Sequence, residues 1–297
     1  MTRQRRTVPC WAMVPTPFTP DGASLDVASL ERLATSLLDD GCAGLVALGV
    51  IAEPGTLAEE ERREVVSRLA ALTRPRGAGL VVSVLALGTD DAVTQVRRSE
   101  ELRSGADAVL VPVVSGDHRE LRRHLRAVHA AADLPVVVQD LPRSTGITIG
   151  VDGLLRALDG LDFVPAVKCE SPPTFAAVAA LARHSDVVPM SGMGGLGLVA
   201  DLHAGARAVA LGATPTRALV GAVGDWERGD VAASLAAVGR VAARCHVETQ
   251  PGAAIAIRKE HWRREGLIAS AAVRRPTAPW DPQLAGLSDL LGVGPRS

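Results

Sequence analysis

The sequence predicts an α/β protein, a (β/α)8 TIM barrel with a C-terminal helical extension. Eight short apolar segments recur through the first 212 residues, and helical patterns lie between them. Strands that are apolar on both faces and alternate with helices are typical of a parallel sheet covered by helices. Eight such units favour closure into a barrel over an open sheet.

The apolar segments are short, often rich in valine, and bounded by glycine, aspartate or proline, which predicts buried strands. They cover Trp11–Pro15, Ala43–Leu48, Leu80–Leu85, Asp107–Val111, Pro135–Gln139, Phe163–Lys168, Val187–Ser191 and Ala206–Leu211. Pro165 and Pro189 lie inside two of them and count against regular pairing there, because proline has no backbone N–H.

Helical patterns fill the intervals between these strands. They cover Asp26–Asp40, Thr56–Thr73, Thr89–Ser104, Asp117–Ala132, Val151–Leu158, Pro172–His184 and Leu196–Ala204. Thr56 and Glu59 have the spacing of a capping box, which predicts the start of the second helix. The rest of the chain has mostly helical patterns. We expect a single domain over residues 1–297, with the barrel at 8–225 and the extension at 226–297.

Composition argues against several classes of partner. The chain has 32 basic and 33 acidic residues, a balance that gives no electrostatic footprint for nucleic acid or an anionic membrane. We see no apolar run long enough to span a bilayer and no signal-peptide segment. The four scattered cysteines fit no metal-ligand spacing and suit a reducing compartment. We therefore expect a cytoplasmic protein with no metal site and no nucleic-acid or membrane partner.

Functional residues of such barrels gather at the C-terminal ends of the strands, and Lys168 ends an otherwise apolar strand there. Burial disfavours the charged form of a lysine and leaves a neutral amine able to attack a carbonyl group. Alternatively, Lys168 is neutralised by Glu170 or Glu53 in a plain ion pair. Glu170 points to the same side of the strand as Lys168. Glu170 therefore moves protons, holds Lys168 in its charged form, or is simply a solvated loop acid.

The segment from Gly192 to Gly197 matches Gly-x-Gly-x-x-Gly after the seventh strand and before a helix. A dinucleotide site would also need an acidic residue about 20 positions further on, and residues 208–216 contain none. What the pattern still indicates is a loop whose backbone N–H groups can face an anion such as a carboxylate. Ser191, Gly192, Gly194 and Gly195 are therefore candidate substrate-binding residues.

Five stretches of the chain coincide with the motifs of one known family. They are VPTPFTPDGASLD at 14–26, LLDDGCAGLVALGVIAEPGTLAEEER at 37–62, GADAVLVPV at 105–113, LPVVVQDLPRSTG at 134–146 and VPAVKCES at 164–171. The chain resembles the dihydrodipicolinate synthase / N-acetylneuraminate lyase family, whose class I members form Schiff bases. The resemblance runs from about residue 8 to residue 276. It implies that Lys168 is the Schiff-base lysine on the sixth strand.

The chain also departs from that family's pattern. Its catalytic tyrosine corresponds to Gln139, and the chain contains no tyrosine at all. The Thr-Thr pair that binds the substrate carboxylate is replaced by Val50 and Ile51. The arginine that holds a second carboxylate would fall at Ser144, beside Arg143. A tyrosine from a neighbouring subunit has no counterpart near 112–114. These differences indicate an atypical branch, for which true dihydrodipicolinate synthase activity is not expected.

The resulting hypothesis is a lyase of the aldolase or dehydratase type that acts on a 2-oxo acid such as pyruvate or a deoxy keto acid. Lys168 is the expected nucleophile, and Glu170 and Asp140 are the expected proton-transfer groups. Gln139, Val50, Ile51, Glu53 and Arg143 are expected to bind substrate beside the glycine-loop residues. No cofactor is expected, because a protonated imine is itself an electron sink.

The resemblance implies a homotetramer or homodimer. Two alternatives from other classes remain at this point. One is a catalytically silent ligand-binding or regulatory relative that has lost the proton relay. The other is a nicotinamide oxidoreductase that uses the glycine-rich loop.

Overall fold

Eight parallel strands close into a barrel in the computed structural model, which describes residues 7–99, 102, 105–184 and 186–296. The strands are β1 Cys10–Met13, β2 Gly44–Ala47, β3 Gly79–Ser83, β4 Ala108–Pro112, β5 Val136–Asp140, β6 Ala166–Cys169, β7 Val188–Ser191 and β8 Ala208–Leu211. Each strand pairs with the next in sequence, and β8 pairs with β1. The predicted (β/α)8 barrel with C-terminal helices is confirmed.

The two prolines within predicted strands have different outcomes. β6 begins at Ala166, just after Pro165, whose carbonyl still accepts a hydrogen bond from Val188. β7 instead runs through Pro189, which pairs with Val167 of β6 and accepts a hydrogen bond from the Arg207 N–H. The prediction of irregular strand pairing at Pro189 is therefore wrong, because the carbonyl group of Pro189 still accepts the ladder hydrogen bond from the chain leading into β8.

Helices follow the strands around the outside of the barrel. They are α1 Val27–Asp39, α2 Glu59–Thr73, α3 Thr89–Arg98, α4 His118–Ala132, α5 Pro142–Thr145, α6 Gly150–Leu158, α7 Thr174–His184, α8 Leu198–Ala204, α9 Thr216–Arg228, α10 Val231–Val247, α11 Ala254–Arg264 and α12 Ala285–Leu290. Short 3-10 turns occur at Val50–Ala52, Pro54–Thr56, Arg74–Arg76, Met193–Gly195 and Pro282–Leu284. The predicted C-terminal end of α3, near Ser104, falls on residues outside the described ranges.

The start of α2 corrects one sequence-based prediction. The helix begins at Glu59, and the carboxylate of Glu61 accepts a hydrogen bond of 3.0 Å from the Ala58 N–H. Thr56 does not cap it. Its hydroxyl donates to the carbonyl of Glu53 instead, because Pro54–Thr56 forms a 3-10 turn before the helix. The predicted capping box at Thr56 is therefore wrong.

The C-terminal extension contains α10 to α12, and the predicted boundary at 225 falls inside α9. Its central helix, α11, is buried on nearly all sides, including its charged residues from Arg258 to Glu260. Arg274, in the segment that follows α11, forms an ion pair with Glu61. Its guanidinium group also donates hydrogen bonds to the backbone carbonyl groups of Gly22, Ala23 and Thr56. The extension is thereby held over the carboxyl end of the barrel.

Two findings bear on the expectations from composition. The cysteines at positions 10, 42, 169 and 245 are all buried and unpaired. Among the described residues, no helix combines the length and the apolar character needed to cross a membrane.

Candidate active site

A cavity of about 650 Å³ lies at the carboxyl end of the barrel. Strand residues and the loops that follow them form one side, among them Met13, Gln139, Lys168 and Ala210. The C-terminal extension forms the other side, with Thr249, Pro251, Gly252, Ala254, Ile255, Arg258 and 276–278. The cavity is therefore built jointly by the barrel and a segment that follows it in the chain.

Lys168 faces this cavity from β6, where its side chain is only 5% exposed. Its Nζ lies 3.3 Å from a carboxylate oxygen of Glu170 and 3.7 Å from the sulfur of Met13. Lysine occurs at only two positions in the chain, and the other, Lys259, does not line the cavity. Lys168 thus has a feature of each alternative considered for it. It is paired with an acid, as a lysine in a plain ion pair would be, and it has a cavity beside it, as a nucleophile would need.

Glu170 is the centre of the hydrogen bonding around Lys168. Its carboxylate accepts from the side-chain amide of Gln139 at 2.5 Å and from the backbone N–H of Met193 at 3.1 Å. Burial alone would raise the pKa of Glu170, but attraction to Lys168 and these hydrogen bonds hold it below its ordinary value. The carboxylate therefore stays ionised, which places an acceptor for a proton beside the amine.

Gln139 stands opposite Lys168 in the register of β5 and β6. Its amide nitrogen is occupied by Glu170, whereas its carbonyl oxygen is buried and has no hydrogen-bond partner among the described residues. A buried polar atom without a partner is costly, so this oxygen is available to a ligand donor such as a hydroxyl group. An amide cannot exchange protons near neutral pH, however, and Gln139 can only orient a substrate.

Asp140 lies next to Gln139 but does not line the cavity. Strand alternation turns it to the outer face of the sheet, where its register partner is Cys169. Burial, together with repulsion from the charge of Glu170, raises the pKa of Asp140 to about 6. Its Oδ1 has no hydrogen-bond partner within the described part of the chain. The predicted proton-transfer role of Asp140 would therefore have to act without direct contact with a ligand in this cavity.

The glycine-rich loop after β7 mostly supports Glu170. Gly192 packs so closely that a side-chain carbon there would lie 2.4 Å from Cγ of Glu170. The Met193 N–H donates to Glu170, and the Gly195 N–H donates to the carbonyl of Gly192. Of the glycines predicted to bind substrate, Gly194 lines the cavity, whereas Gly192 and Gly195 do not. Two of the backbone N–H groups expected to face an anion, those of Met193 and Gly195, thus donate hydrogen bonds within the protein.

Ser191, predicted to contact substrate, is fully buried on the outer side of the barrel wall. Its hydroxyl donates to one carboxylate oxygen of Asp201 at 2.6 Å, and the hydroxyl of Thr174 donates to the other at 2.7 Å. Ser191 does not line the cavity. Its hydroxyl ties β7 to the helices behind it.

Val50 and Ile51, which were predicted to bind substrate, line the cavity, but their aliphatic side chains have no group that could bind a carboxylate. Glu53 does not line it. Its carboxylate accepts from Nζ of Lys259 at 2.5 Å and from the Arg274 N–H at 2.9 Å. Burial lowers the pKa of Lys259 to about 8, against the attraction of Glu53. Glu53 therefore anchors the extension, which is a different role from the predicted one.

The last predicted residue, Arg143, lines the cavity together with its neighbour Ser144, both on the short helix α5. The wall contributed by the extension, and above all Arg258 on α11, was not predicted from the sequence. A signal for it existed in the sequence. Arg258 follows the apolar stretch at 253–257, which indicates a buried segment at this point of the extension.

Fold and site together define a class of protein: a (β/α)8 barrel in which a buried amine, balanced by a carboxylate, faces a cavity at the carboxyl ends of the strands. The model of the dihydrodipicolinate synthetase family matches residues 9–285. The chain belongs to this family, as its motifs led us to expect, and is a lyase of that family.

Two relatives with assigned functions show the extent of the similarity. The chain is 28% identical to 4-hydroxy-tetrahydrodipicolinate synthase of Bifidobacterium animalis subsp. lactis over 289 residues, which cover 92% of this chain and 89% of that one. It is 33% identical to the enzyme of the same name from Corynebacterium aurimucosum over 229 residues, or 74% of this chain and 72% of that one.

Solved structures agree on the fold. Dihydrodipicolinate synthase from Rhodopseudomonas palustris superposes with a TM-score of 0.86 at 23% identity and covers 98% of both chains. The same enzyme from Thermotoga maritima gives a TM-score of 0.86 at 22% identity, over 97% of this chain and 99% of that one. Both similarities extend across the barrel and the extension.

Proposed function

We propose that this lyase forms a Schiff base between Lys168 and a 2-oxo acid, such as pyruvate or a deoxy keto acid, and then cleaves a carbon–carbon or carbon–oxygen bond. The observation that carries the proposal is the buried pair of Lys168 and Glu170, 3.3 Å apart, on the wall of a cavity of about 650 Å³. A lysine that served stability alone would have no need of a cavity beside it.

The first step requires a neutral amine. Glu170 is ionised and close enough to take the proton of the Lys168 ammonium group. Nζ then attacks the keto carbon, and the carbonyl oxygen becomes the hydroxyl of a carbinolamine. Returning the proton to that hydroxyl releases it as water and leaves a cationic imine.

In carbon–carbon cleavage the imine accepts the electron pair of the bond that breaks, while the hydroxyl group of the departing fragment loses its proton and becomes a carbonyl group. In carbon–oxygen cleavage the imine accepts the electron pair of a neighbouring C–H bond whose proton is removed, and the resulting enamine expels the protonated β-hydroxyl group as water. Protonation at carbon restores the imine in the first case, and in both cases water hydrolyses the imine to free the product and Lys168. Glu170 supplies and removes the protons in this scheme. Gln139 offers its unpartnered carbonyl oxygen to a substrate hydroxyl, and the aliphatic side chains of Val50 and Ile51 exclude water on the opposite side.

Borohydride trapping tests the proposal. Wild-type protein is incubated with pyruvate and a panel of other 2-oxo acids, reduced with borohydride, digested, and mapped by mass spectrometry. We expect a reduced adduct on the peptide that contains Lys168. Because the chain has just one other lysine, at position 259, the mapping has a single competing lysine site.

Two variants serve as controls. Lys168→Ala should form no adduct, whereas Lys259→Arg, which preserves the charge beside Glu53, should form the same adduct as the wild type. Absence of an adduct with every acid tested would contradict the proposal. It would favour the alternative of a catalytically silent relative. That alternative is supported by Gln139, whose side chain cannot exchange protons.

Location and assembly are part of the same proposal. We propose that the protein acts in the cytoplasm, which the four unpaired cysteines support. We also propose a homodimer or homotetramer, on the basis of family membership. Sedimentation or light scattering of the purified chain would test the assembly directly.

A further inference from the structure

Arg258 stands out among the charged residues of the cavity because it is buried and forms no ion pair with any residue that the structure describes. The residue is 7% exposed and lines the cavity from α11. Its Nε has no hydrogen-bond partner in the described part of the chain. Its charged neighbours on the same helix are all paired, since Lys259 binds Glu53 and both Arg263 and Arg264 bind Glu260.

Acids do lie near Arg258, but they are committed to other groups. Glu248 accepts hydrogen bonds from Thr214 and pairs with Arg244 and His261. Glu170 pairs with Lys168 and accepts hydrogen bonds from Gln139 and Met193. Burial lowers the pKa of Arg258, and the charges of Glu248 and Glu170 offset this only in part. Arg258 is thus a dehydrated cation that is attracted by two carboxylates and bonded to neither.

The backbone opposite Arg258 leaves space for a ligand. Gly194 has φ of +63°, and a side-chain carbon there would lie 3.6 Å from Nη2 of Arg258 and 3.1 Å from Thr249. A glycine is favoured at this backbone angle, and its lack of a side chain keeps the approach to the guanidinium group open.

The charges on the cavity wall are unequal. Its charged residues are Lys168, Glu170, Arg143 and Arg258, and Lys168 and Glu170 balance each other. Two arginines remain, of which Arg143 is exposed and Arg258 is buried. A cavity with this excess of positive charge is matched by a ligand that carries acidic groups.

We propose that Arg258 binds a second acidic group of the substrate, so that the protein selects 2-oxo acids with a further carboxylate away from the keto group. This proposal rests on the proposed function of Lys168. The carboxylate next to the keto carbon must lie beside Lys168. Lys168 stands on β6 of the barrel, whereas Arg258 lines the cavity from α11 of the extension, so the arginine is placed for a group further along the substrate.

Matched pairs of acids test the proposal. The pairs are 2-oxoglutarate with 2-oxopentanoate and 2-oxoadipate with 2-oxohexanoate, which have equal carbon chains and differ in the terminal carboxylate. The measurement is the concentration that gives half-maximal borohydride trapping. We expect the wild type to favour at least one dicarboxylate by about 10- to 100-fold, the range that hydrogen bonds to a charged group supply.

The variants Arg258→Met and Arg258→Lys isolate the arginine. Arg258→Met should lose this preference while it still traps the monocarboxylates, and Arg258→Lys should recover part of it because it keeps the charge. Arg263→Met is the matched control on the same helix, since Arg263 is half-exposed, pairs with Glu260 and lies outside the cavity. It should keep the wild-type preference.

The proposal is overturned if the wild type traps both members of each pair equally, or if Arg258→Met weakens both members equally. A separate titration distinguishes this failure from failure of the lyase mechanism. 2-Hydroxyglutarate has no keto group and forms no imine, and its binding can be followed by calorimetry. Suppose that 2-hydroxyglutarate binds in a way that depends on Arg258, while none of the 2-oxo acids gives a borohydride adduct on Lys168. This result would support the acid-binding site and contradict the lyase mechanism.

Discussion

Asp140→Asn should stabilise the protein at neutral pH and leave its stability unchanged in acid. The carboxyl group of Asp140 is 4% exposed, and its Oδ1 has no hydrogen-bond partner among the residues the structure describes. Burial and the nearby charge of Glu170 raise its pKa from 3.8 to about 6. The folded protein therefore favours the neutral form of this side chain, which asparagine imitates in shape and charge.

The size and the sign of the effect follow from proton linkage. Below about pH 3, Asp140 is protonated in the folded and the unfolded chain, so it imposes almost no penalty. Between pH 3.8 and about 6, the unfolded chain releases the proton and the folded protein retains it, so stability falls as pH rises. Above about pH 6 the loss is complete. It amounts to ~3 kcal/mol, since each pH unit between the two pKa values is worth ~1.4 kcal/mol.

Guanidinium chloride unfolding, followed by circular dichroism at pH 4, 5, 6, 7 and 8, measures the difference between the variant and the wild type. We expect a difference of about 0.5 kcal/mol at pH 4 that grows to ~3 kcal/mol in favour of Asp140→Asn at pH 7 and 8. Asp162→Asn is the control, because Asp162 is exposed, and its effect should stay within about 0.5 kcal/mol.

A constant difference at all five pH values, or a destabilised variant at pH 8, would refute this reasoning. The same variant also examines the predicted proton-transfer role of Asp140. Loss of a general acid or base reduces turnover by about 100- to 10,000-fold. Because Asp140 does not line the cavity, we expect a much smaller change in the rate of adduct formation.

Two further changes test other contacts in the structure. Gly192→Ala would place a carbon 2.4 Å from Cγ of Glu170, and we expect the displaced carboxylate to slow borohydride trapping by about 100-fold. Gly55→Ala has no atom within 4 Å of the added carbon and should trap at the wild-type rate. Glu53→Gln leaves the buried ammonium group of Lys259 without its carboxylate, and denaturant unfolding should show a loss of ~3–5 kcal/mol. The double change with Lys259→Met should recover much of that loss, whereas an equally unstable double variant would contradict a role for this ion pair.

The barrel was predictable because its signal is local and repeated. Each strand carries its own apolar run and each helix its own spacing of apolar residues, so an error at one element, such as the capping box at Thr56, leaves the others intact. The strand ends were located well enough to place Lys168 and Glu170 together. Two residues on the same face of one strand need no information about distant parts of the chain.

The parts of the site that depend on distant contacts were not predictable in the same way. Glu53 was expected to bind substrate, but its partner Lys259 lies 206 positions away in the chain, and no local pattern connects them. Arg258 was missed for the same reason, since its place in the cavity depends on how the extension folds back over the barrel. The amides of the glycine-rich loop do lie near the site, but the sequence could not show that Glu170 accepts from one of them.

Under the proposed function, the division of the cavity between two parts of the chain separates chemistry from selectivity. The amine of Lys168 stands on β6, whose ladder bonds fix its position, and Glu170 follows that strand directly. The other side of the cavity is made of nine helix and loop residues, which are 249, 251, 252, 254, 255, 258 and 276–278 and take no part in that ladder. Under the same proposal, exchanging side chains at these positions redirects the protein to another acid while Lys168 and Glu170 stay in place. Libraries confined to these nine positions are the economical way to change what this barrel accepts.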